Sequence, residues 1–361
     1  MSKNLKGNYL NMEKYKEVVT EFKRIADNQL WNRVDDSFLI GVKDPADEEI
    51  YWCSLMGKDE ELYGVSMYKG ASGLYSYDYI RTKDDQRPDP EMATVQDTIL
   101  VTLDEEKIFS EAHTNFVSRV DDSEYSKGVH IIPVRMQPGI PAFICNENEM
   151  DTAAKVMSKL ADFLLNNKSD YSLAGPDVLL LPDNGAQFEN WETYRTDKNS
   201  QLPDHADGLN LPVEERLKKV VSQLEIQGTI WETHVCYYPF AKSSGSSGGY
   251  YPQLLLVINK NKGEVIHHNS FEQGEYSHEI MLSELANACV TAGYIPCEIE
   301  VRRPDLQILL SDLFENTGID VNHVGELLAV RDCLANIIAQ VMNRQFNDGE
   351  EDCCSAGTCG S

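Results

Sequence analysis

Residues 253–269 read QLLLVINKNKGEVIHHN, and this stretch sets the character of the second half of the chain. Two apolar, β-branched runs flank NKNKG, a hairpin signal. Working outward, TIWETHVCYYPFA (229–241) supplies a strand ahead of the hairpin, and KSSGSSGGYYP (242–252) between them reads as a flexible loop. On the far side, SHEIMLSELANACVTAG (277–293) is a helix that stops at Gly293. PCEIEVRR (296–303) is a strand, PDLQILLSDLFENTG (304–318) a helix that stops at Gly318, and IDVNHVG (319–325) the last strand. ELLAVRDCLANIIAQVMNRQF (326–346) closes the region as a helix, and PVEERLKKVVSQLEI (212–226) opens it as one, with Pro near its first turn. The ββαβαβα order predicts a single mixed sheet with helices against it, in an α/β domain over residues 213–346.

Upstream, residues 183–212 turn polar and rich in Pro, Asp and Asn, which places a domain boundary there, with 199–212 as linker after an N-terminal domain of residues 1–198. In that domain Tyr15, Val18, Val19, Phe22 and Ile25 recur at helical spacing within 12–30. FLIGV (38–42), IYWCSLMG (50–57), LYGVSMYKG (62–70) and SGLYSYDYI (72–80) are short, aromatic or β-branched, and separated by Gly, Asp and Lys-Asp turns. They predict an antiparallel meander, with DTILVTLD (97–104) as a further strand. VHIIPVRMQPGIPAFIC (129–145) is extended and broken by proline turns. Asn146 or Asn148 then caps a helix over 149–166 that turns Ala153, Val156, Leu160, Phe163 and Leu164 inward, and DVLLLPD (177–183) is a strand. The fold class is therefore α+β: an N-terminal antiparallel-sheet domain with helices, the mixed-sheet domain, and an acidic, Cys-rich tail over 347–361.

The chain has 361 residues with 32 Lys+Arg against 59 Asp+Glu, a formal charge of −27. Gripping a nucleic-acid backbone needs clustered positive charge, so nucleic acid is disfavoured as a partner. No apolar run reaches 18 residues, which argues against a membrane-spanning helix, and the charged N-terminus lacks the apolar core of a secretory signal. Of nine cysteines, Cys53, Cys145, Cys236, Cys289, Cys297 and Cys333 are scattered singly, mostly inside apolar runs. Such thiols suit a reducing compartment, and the expected location is the cytoplasm.

The other three cysteines lie in the terminal NDGEEDCCSAGTCGS (347–361). Cys353, Cys354 and Cys359 form a C-C-x-x-G-x-C-G arrangement, which resembles the metalloid-binding loop of the arsenite metallochaperone family. The resemblance implies that three thiolates hold one As(III). The chemistry agrees, because As(III) and other soft thiophilic ions prefer thiolate sulfur, and Gly357 permits a tight loop. The motif sits here at the end of a different scaffold. No His lies in the last 30 residues to complete a zinc site, and the preceding Glu-Glu-Asp disfavours thiolate formation. Redox cycling through these thiols and a tail without function are the alternatives.

The pattern carried by Trp31, Met56, Gly57, Tyr63, Gly64, Tyr68, Gly70, Gly73 and Leu74 resembles a bacterial family of uncharacterised two-domain proteins. Arg135, Pro138, Gly139 and Pro141 match its Pro-Gly turn with a one-residue offset. In the second half, Tyr251, Pro252, Pro296, Gly318, Ile319 and Val321 fit the partner domain. The resemblance spans roughly residues 30–345 and implies two domains of unknown function; some family members carry a short zinc-binding SEC-C tail, whereas the sequence here ends differently.

The second-half strand order also resembles an RNase H-like sheet, whose nucleases converge several carboxylates on two metals. Asn259 stands where an Asp is wanted, and Asp305 and Asp320 fall on different elements, so a triad does not assemble. His267 and His268 face opposite sides of one strand, and His278-Glu279 opens a helix near them; satisfied histidines are favoured over a metal site. No Walker A motif, dinucleotide fingerprint, G-x-S-x-G elbow or H-E-x-x-H occurs. The aromatic residues Trp191, Trp231, Tyr237-Tyr238 and Tyr250-Tyr251 read as sheet packing ahead of a binding surface. The balance leans away from an enzyme, towards soft-ion binding, with a protein-binding module as a further alternative.

Overall fold

A computed structural model of the chain describes residues 12–44, 48–59, 62–81, 91–92, 94–108, 111–120, 124–167, 171, 177–182, 191–201, 213–243 and 249–354. Two compact units emerge: residues 1–82 with 95–203, and residues 83–94 with 204–361. The architecture is α+β in both. Among the described residues no helix is long and apolar enough to cross a membrane.

The first unit opens with α1 (Met12–Asp27), whose Tyr15, Val18, Phe22 and Ile25 are buried as their spacing predicts. Strands β1 (Ile40–Lys43), β2 (Ile50–Met56) and β3 (Gly64–Lys69) follow, and then α2 (Gly70–Arg81). Next come β4 (Thr98–Glu105), α3 (Glu111–Val117), β5 (Glu124–Ser126), β6 (Val129–Gln137) and β7 (Ile140–Ile144). The unit ends with α4 (Glu147–Asn166), β8 (Asp177–Leu180) and β9 (Arg195–Asp197). The strands form a nine-stranded sheet in the order β5-β6-β4-β3-β2-β1-β8-β9, with β7 paired to β6. Its pairs are antiparallel except β1 with β8.

Alternation along β2 assigns the two faces. Tyr51, Cys53 and Leu55 join the large core beneath α1 and α4, while Trp52 packs on the other face with Leu74 and Tyr77 of α2. The Tyr15 hydroxyl donates to the Ile131 carbonyl at 3.0 Å, tying α1 to β6. Asn146 is the cap of α4: its Oδ1 accepts from the amides of Asn148 and Glu149, and Glu149 Oε2 accepts from the Asn146 amide at 2.8 Å.

One expectation is corrected here. SGLYSYDYI is not a fourth meander strand but most of α2. Its alternating tyrosines mimic a strand, yet Leu74 and Tyr77, one helical turn apart, are what the sheet face takes in. Gly73 lets the helix lie directly on the preceding strand, since a Cβ there would meet the Tyr68 carbonyl carbon at 2.4 Å. The polar run after Leu181 contributes β9, which pairs antiparallel with β8 inside this sheet.

The second unit contains α5 (Glu215–Val221), β10 (Glu225–Tyr237), a two-stranded ribbon of β11 (Lys242–Ser243) and β12 (Gly249–Tyr250), β13 (Gln253–Asn259) and β14 (Glu264–Phe271). It continues with α6 (His278–Ala292), β15 (Tyr294–Val301), α7 (Pro304–Leu313), β16 (Asp320–His323) and α8 (Leu328–Cys354). Three strands of the main sheet, β10, β13 and β14, precede α6, so the order is βββαβαβα, one strand more than expected because both arms of the 253–269 hairpin join the sheet, and β10 begins inside the segment expected to be helical. α7 stops at Leu313, ahead of Gly318. α6 ends on Gly293 at φ 77, whose amide reaches the Cys289 carbonyl at 2.9 Å.

The sheet order is β14-β13-β10-β15-β16. β13 runs antiparallel to both β10 and β14, while β15 lies parallel to β10 and to β16. One face carries Trp231, Val235, Leu255, Val257 and Ile299 against α6 and α7. The opposite face carries Cys236, Leu254, Leu256 and Ile258 against Leu327, just ahead of α8, and against Val330 and Leu334 in its first turns.

Candidate functional site

The face under α8 is only half apolar. Because side chains alternate along a strand, Glu232 and His234 share the side of β10 on which Cys236 lies. Parallel pairing sets Glu300 of β15 directly beside Glu232. A polar row therefore crosses the middle of the sheet where an all-apolar face would bury more surface. Each member is buried: Glu232 is 0% exposed, His234 4% and Glu300 7%.

Their partners differ. Glu232 Oε2 accepts from the Val330 amide at 2.9 Å, so this carboxylate from the sheet serves the first turn of α8. Its Oε1 is enclosed without a hydrogen-bond partner. Burial pushes the Glu232 carboxyl above the usual carboxylate range, with amide bonds from α8 opposing and Glu300 adding to the shift. Both Glu300 oxygens instead meet Lys260 Nζ, at 2.6 and 2.7 Å, and that ion pair holds the Lys260 ammonium above its ordinary value.

His234 is held by Glu91, a residue of the short segment that belongs to the second unit although it lies between α2 and β4 in sequence. His234 Nε2 lies 3.0 Å from both Glu91 oxygens, and Arg302 Nη1 lies 3.6 Å from Glu91 Oε2. Nε2 therefore carries the ring proton in this pair, and the enclosed Nδ1 has no partner. A cleft beside this group is lined by Glu91, His234, Arg302, Glu326, Arg331 and the aliphatic side chains of Leu327, Val330 and Leu334, and it has room for roughly one water molecule. Arg331 pairs with Glu326 at its rim.

The residues singled out from sequence do not gather there. Asn259 Oδ1 accepts from the amides of Asn261 and Lys262, so it shapes the hairpin turn. Burial alone would raise the Asp305 carboxyl, but contacts from His278 and Arg303 outweigh it and hold Asp305 well below the carboxylate range. Arg303 grips Asp305 at 3.1 and 2.5 Å, whereas Asp320 is exposed on β16. His267 Nε2 bonds Glu284 at 2.9 Å, and His278 sits 3.5 Å from Asp305, so neither histidine joins a chelate. Among the described residues no group of three His, Cys, Asp or Glu is arranged to hold a metal ion. Trp231 is fully buried sheet packing.

Cys353 and Cys354 fall on the α8 backbone, with their side chains outside the described residues; Cys359 lies outside them altogether. The polar row was missed in sequence. Its one local signal, a Glu-x-His alternation inside the apolar TIWETHVCYY, is too short to stand out.

Residues 15–181 match the family model described as Domain of unknown function (DUF7309), and residues 216–337 match the one described as Domain of unknown function (DUF6930). The two matched stretches follow one another along the chain without overlap. No curated protein matches it.

Proposed function

We propose that the chain captures a soft thiophilic ion, As(III) or one of like chemistry, through Cys353, Cys354 and Cys359. The observation that carries this reading is the spacing of three thiols within seven residues, separated by small side chains. The remaining cysteines support it. All six are free, and Cys53, Cys145, Cys236 and Cys289 are buried in the two cores. Burial pushes the Cys289 thiol up to about 12 and raises those of Cys53 and Cys145 as well, which leaves them poor thiolate donors. Reduced full-length protein is expected to bind one As(III) per chain, measured by elemental analysis with thiol titration. Cys353→Ser and a chain ending at Asp352 are both expected to lose it. Equal binding by the shortened chain refutes the reading.

The sheet order β14-β13-β10-β15-β16, with β13 alone reversed, favours a second reading in which the C-terminal unit is an RNase H-like platform. Glu232 and Glu300 are its facing carboxylates, but α8 amides and Lys260 already engage them. Divalent-metal-dependent cleavage of an RNA·DNA hybrid, lost in Glu300→Gln, supports this reading, and no cleavage above background by wild type rejects it.

A further inference from the structure

The second sheet holds α6, α7 and α8 very differently. α6 buries Met281, Leu282, Leu285, Ala286, Ala288 and Cys289, and α7 buries Leu306, Leu309, Leu310 and Leu313. Among its described side chains α8 buries only Val330 and Leu334, with Leu327 just ahead of it, while Leu328 and Met342 are each 47% exposed. Apolar burial is what docks a helix, so α8 has the weakest hold of the three. What it covers is also poorly matched. Glu232 is fully buried beneath its first turn, with Oε2 on the Val330 amide and Oε1 enclosed without a partner. Burial first, and the neighbouring Glu300 after it, oppose the charge on this carboxylate. A buried polar atom in that state is destabilising until water reaches it, which favours lifting the cover.

We propose that α8 is a hinged cover whose first turns swing off the sheet as one unit, while the strands, α6 and α7 stay folded, and so open the buried surroundings of Glu232. The chain has a place to bend. Val324 is tied to the sheet by its amide on the Val301 carbonyl at 2.8 Å, and Gly325 follows, where even an added Cβ would meet nothing within 4 Å. The moving piece keeps its own helical bonds, beginning with the Arg331 amide on the Leu327 carbonyl at 3.0 Å. Cys236 shares an apolar cluster with Leu327, Val330 and Leu334, so opening bares its thiol. Cys289 belongs to the cluster on the other face of the sheet and stays covered. With the cover closed no solute reaches the Glu232 carboxylate, and α8 thereby controls access to it. The opening follows from packing and is independent of both the terminal thiols and the RNase H-like reading.

The test uses the full, reduced chain under native conditions. It follows hydrogen exchange by peptide mass spectrometry, together with the labelling of each cysteine by a neutral maleimide. The amides of residues 332–338 are expected to exchange at least about a hundredfold faster than the central amides of α6, each relative to its unstructured rate. Cys236 is expected to label about tenfold or more faster than Cys289, although both are buried. Leu334→Ala is expected to speed α8 exchange and Cys236 labelling together, by about tenfold or more, and to leave the α6 amides and Cys289 unchanged. One common exchange rate for α8 and α6 overturns the proposal, because the helices then open only with the whole unit. Fast α8 exchange with Cys236 as protected as Cys289 also overturns it, since the helix then frays in place. These two comparisons in wild type decide the matter even where Leu334→Ala fails to fold. A folded variant that speeds Cys289 as much as Cys236 rejects the cover as well.

Discussion

Glu232→Ala and Glu232→Gln are expected to part company, because the carboxylate both accepts a hydrogen bond and carries a buried charge. Alanine removes the acceptor that serves the Val330 amide at 2.9 Å and leaves that donor enclosed beneath α8. Losing a helix-terminal cap typically costs about 1 kcal/mol, and a buried orphan donor about 1–3 kcal/mol, so a loss of about 2–4 kcal/mol is expected. Glutamine keeps a carbonyl oxygen for Val330 and removes the charge that burial penalises and Glu300 opposes. It is expected to lie within about 1 kcal/mol of wild type near neutral pH.

The pH dependence has a definite sign. The folded-state pKa of Glu232 is raised, so the native state binds the proton more tightly than the unfolded chain does. This group's contribution therefore falls as pH rises from the unfolded value of 4.5 through the folded one, by at most about 1.4 kcal/mol per pH unit. Glutamine abolishes that slope. Hydrogen exchange of the β10 and α8 amides, read across this range in the full chain, measures both effects locally. If glutamine destabilises as much as alanine near neutral pH, the charge and not the acceptor secures α8, and the reasoning fails.

Two further outcomes follow from named contacts. Gly73→Ala drives a Cβ to 2.4 Å from the Tyr68 carbonyl carbon and 2.8 Å from the Asp97 oxygen, both backbone, so α2 must move. A loss of about 3 kcal/mol or more and a lower unfolding midpoint are expected, and an unchanged midpoint contradicts the packing of α2 on β3. Asp305→Asn removes a carboxylate whose folded-state pKa is depressed, a contribution present above the unfolded value of 3.8 and lost as pH falls through the folded one. The stability gap between wild type and this variant is expected to be constant above that range and to close in acid; a gap independent of pH rules out the ion pair as its source.

The legible parts of this fold are those whose signal is local. The capping box at Asn146 and Glu149, the left-handed stop at Gly293 and the inward stripe of α1 each lie within one or a few helical turns, where backbone preference and side-chain reach act together. Where the signals conflict, local reading fails. The segment 72–80 alternates like a strand, yet it buries residues at helical spacing because a sheet face waits beside it. The candidate site was the least legible part. Asp305 and Asp320 drew attention as isolated carboxylates, while Glu232 and Glu300 stood inside strands that read as ordinary sheet.

Sequence by itself determined that the chain is α+β in both halves, that strands and helices alternate through the second half, and that three thiols lie within its last nine residues. Those facts follow from periodicity, turn chemistry and composition, which short stretches of chain express on their own. Tertiary structure alone decided that β10 lies between β13 and β15, which sets Glu232 beside Glu300. It also decided that Glu91 meets His234 across 143 residues. Strand pairing depends on which faces find each other once the cores close, and no local pattern records a partner so far away.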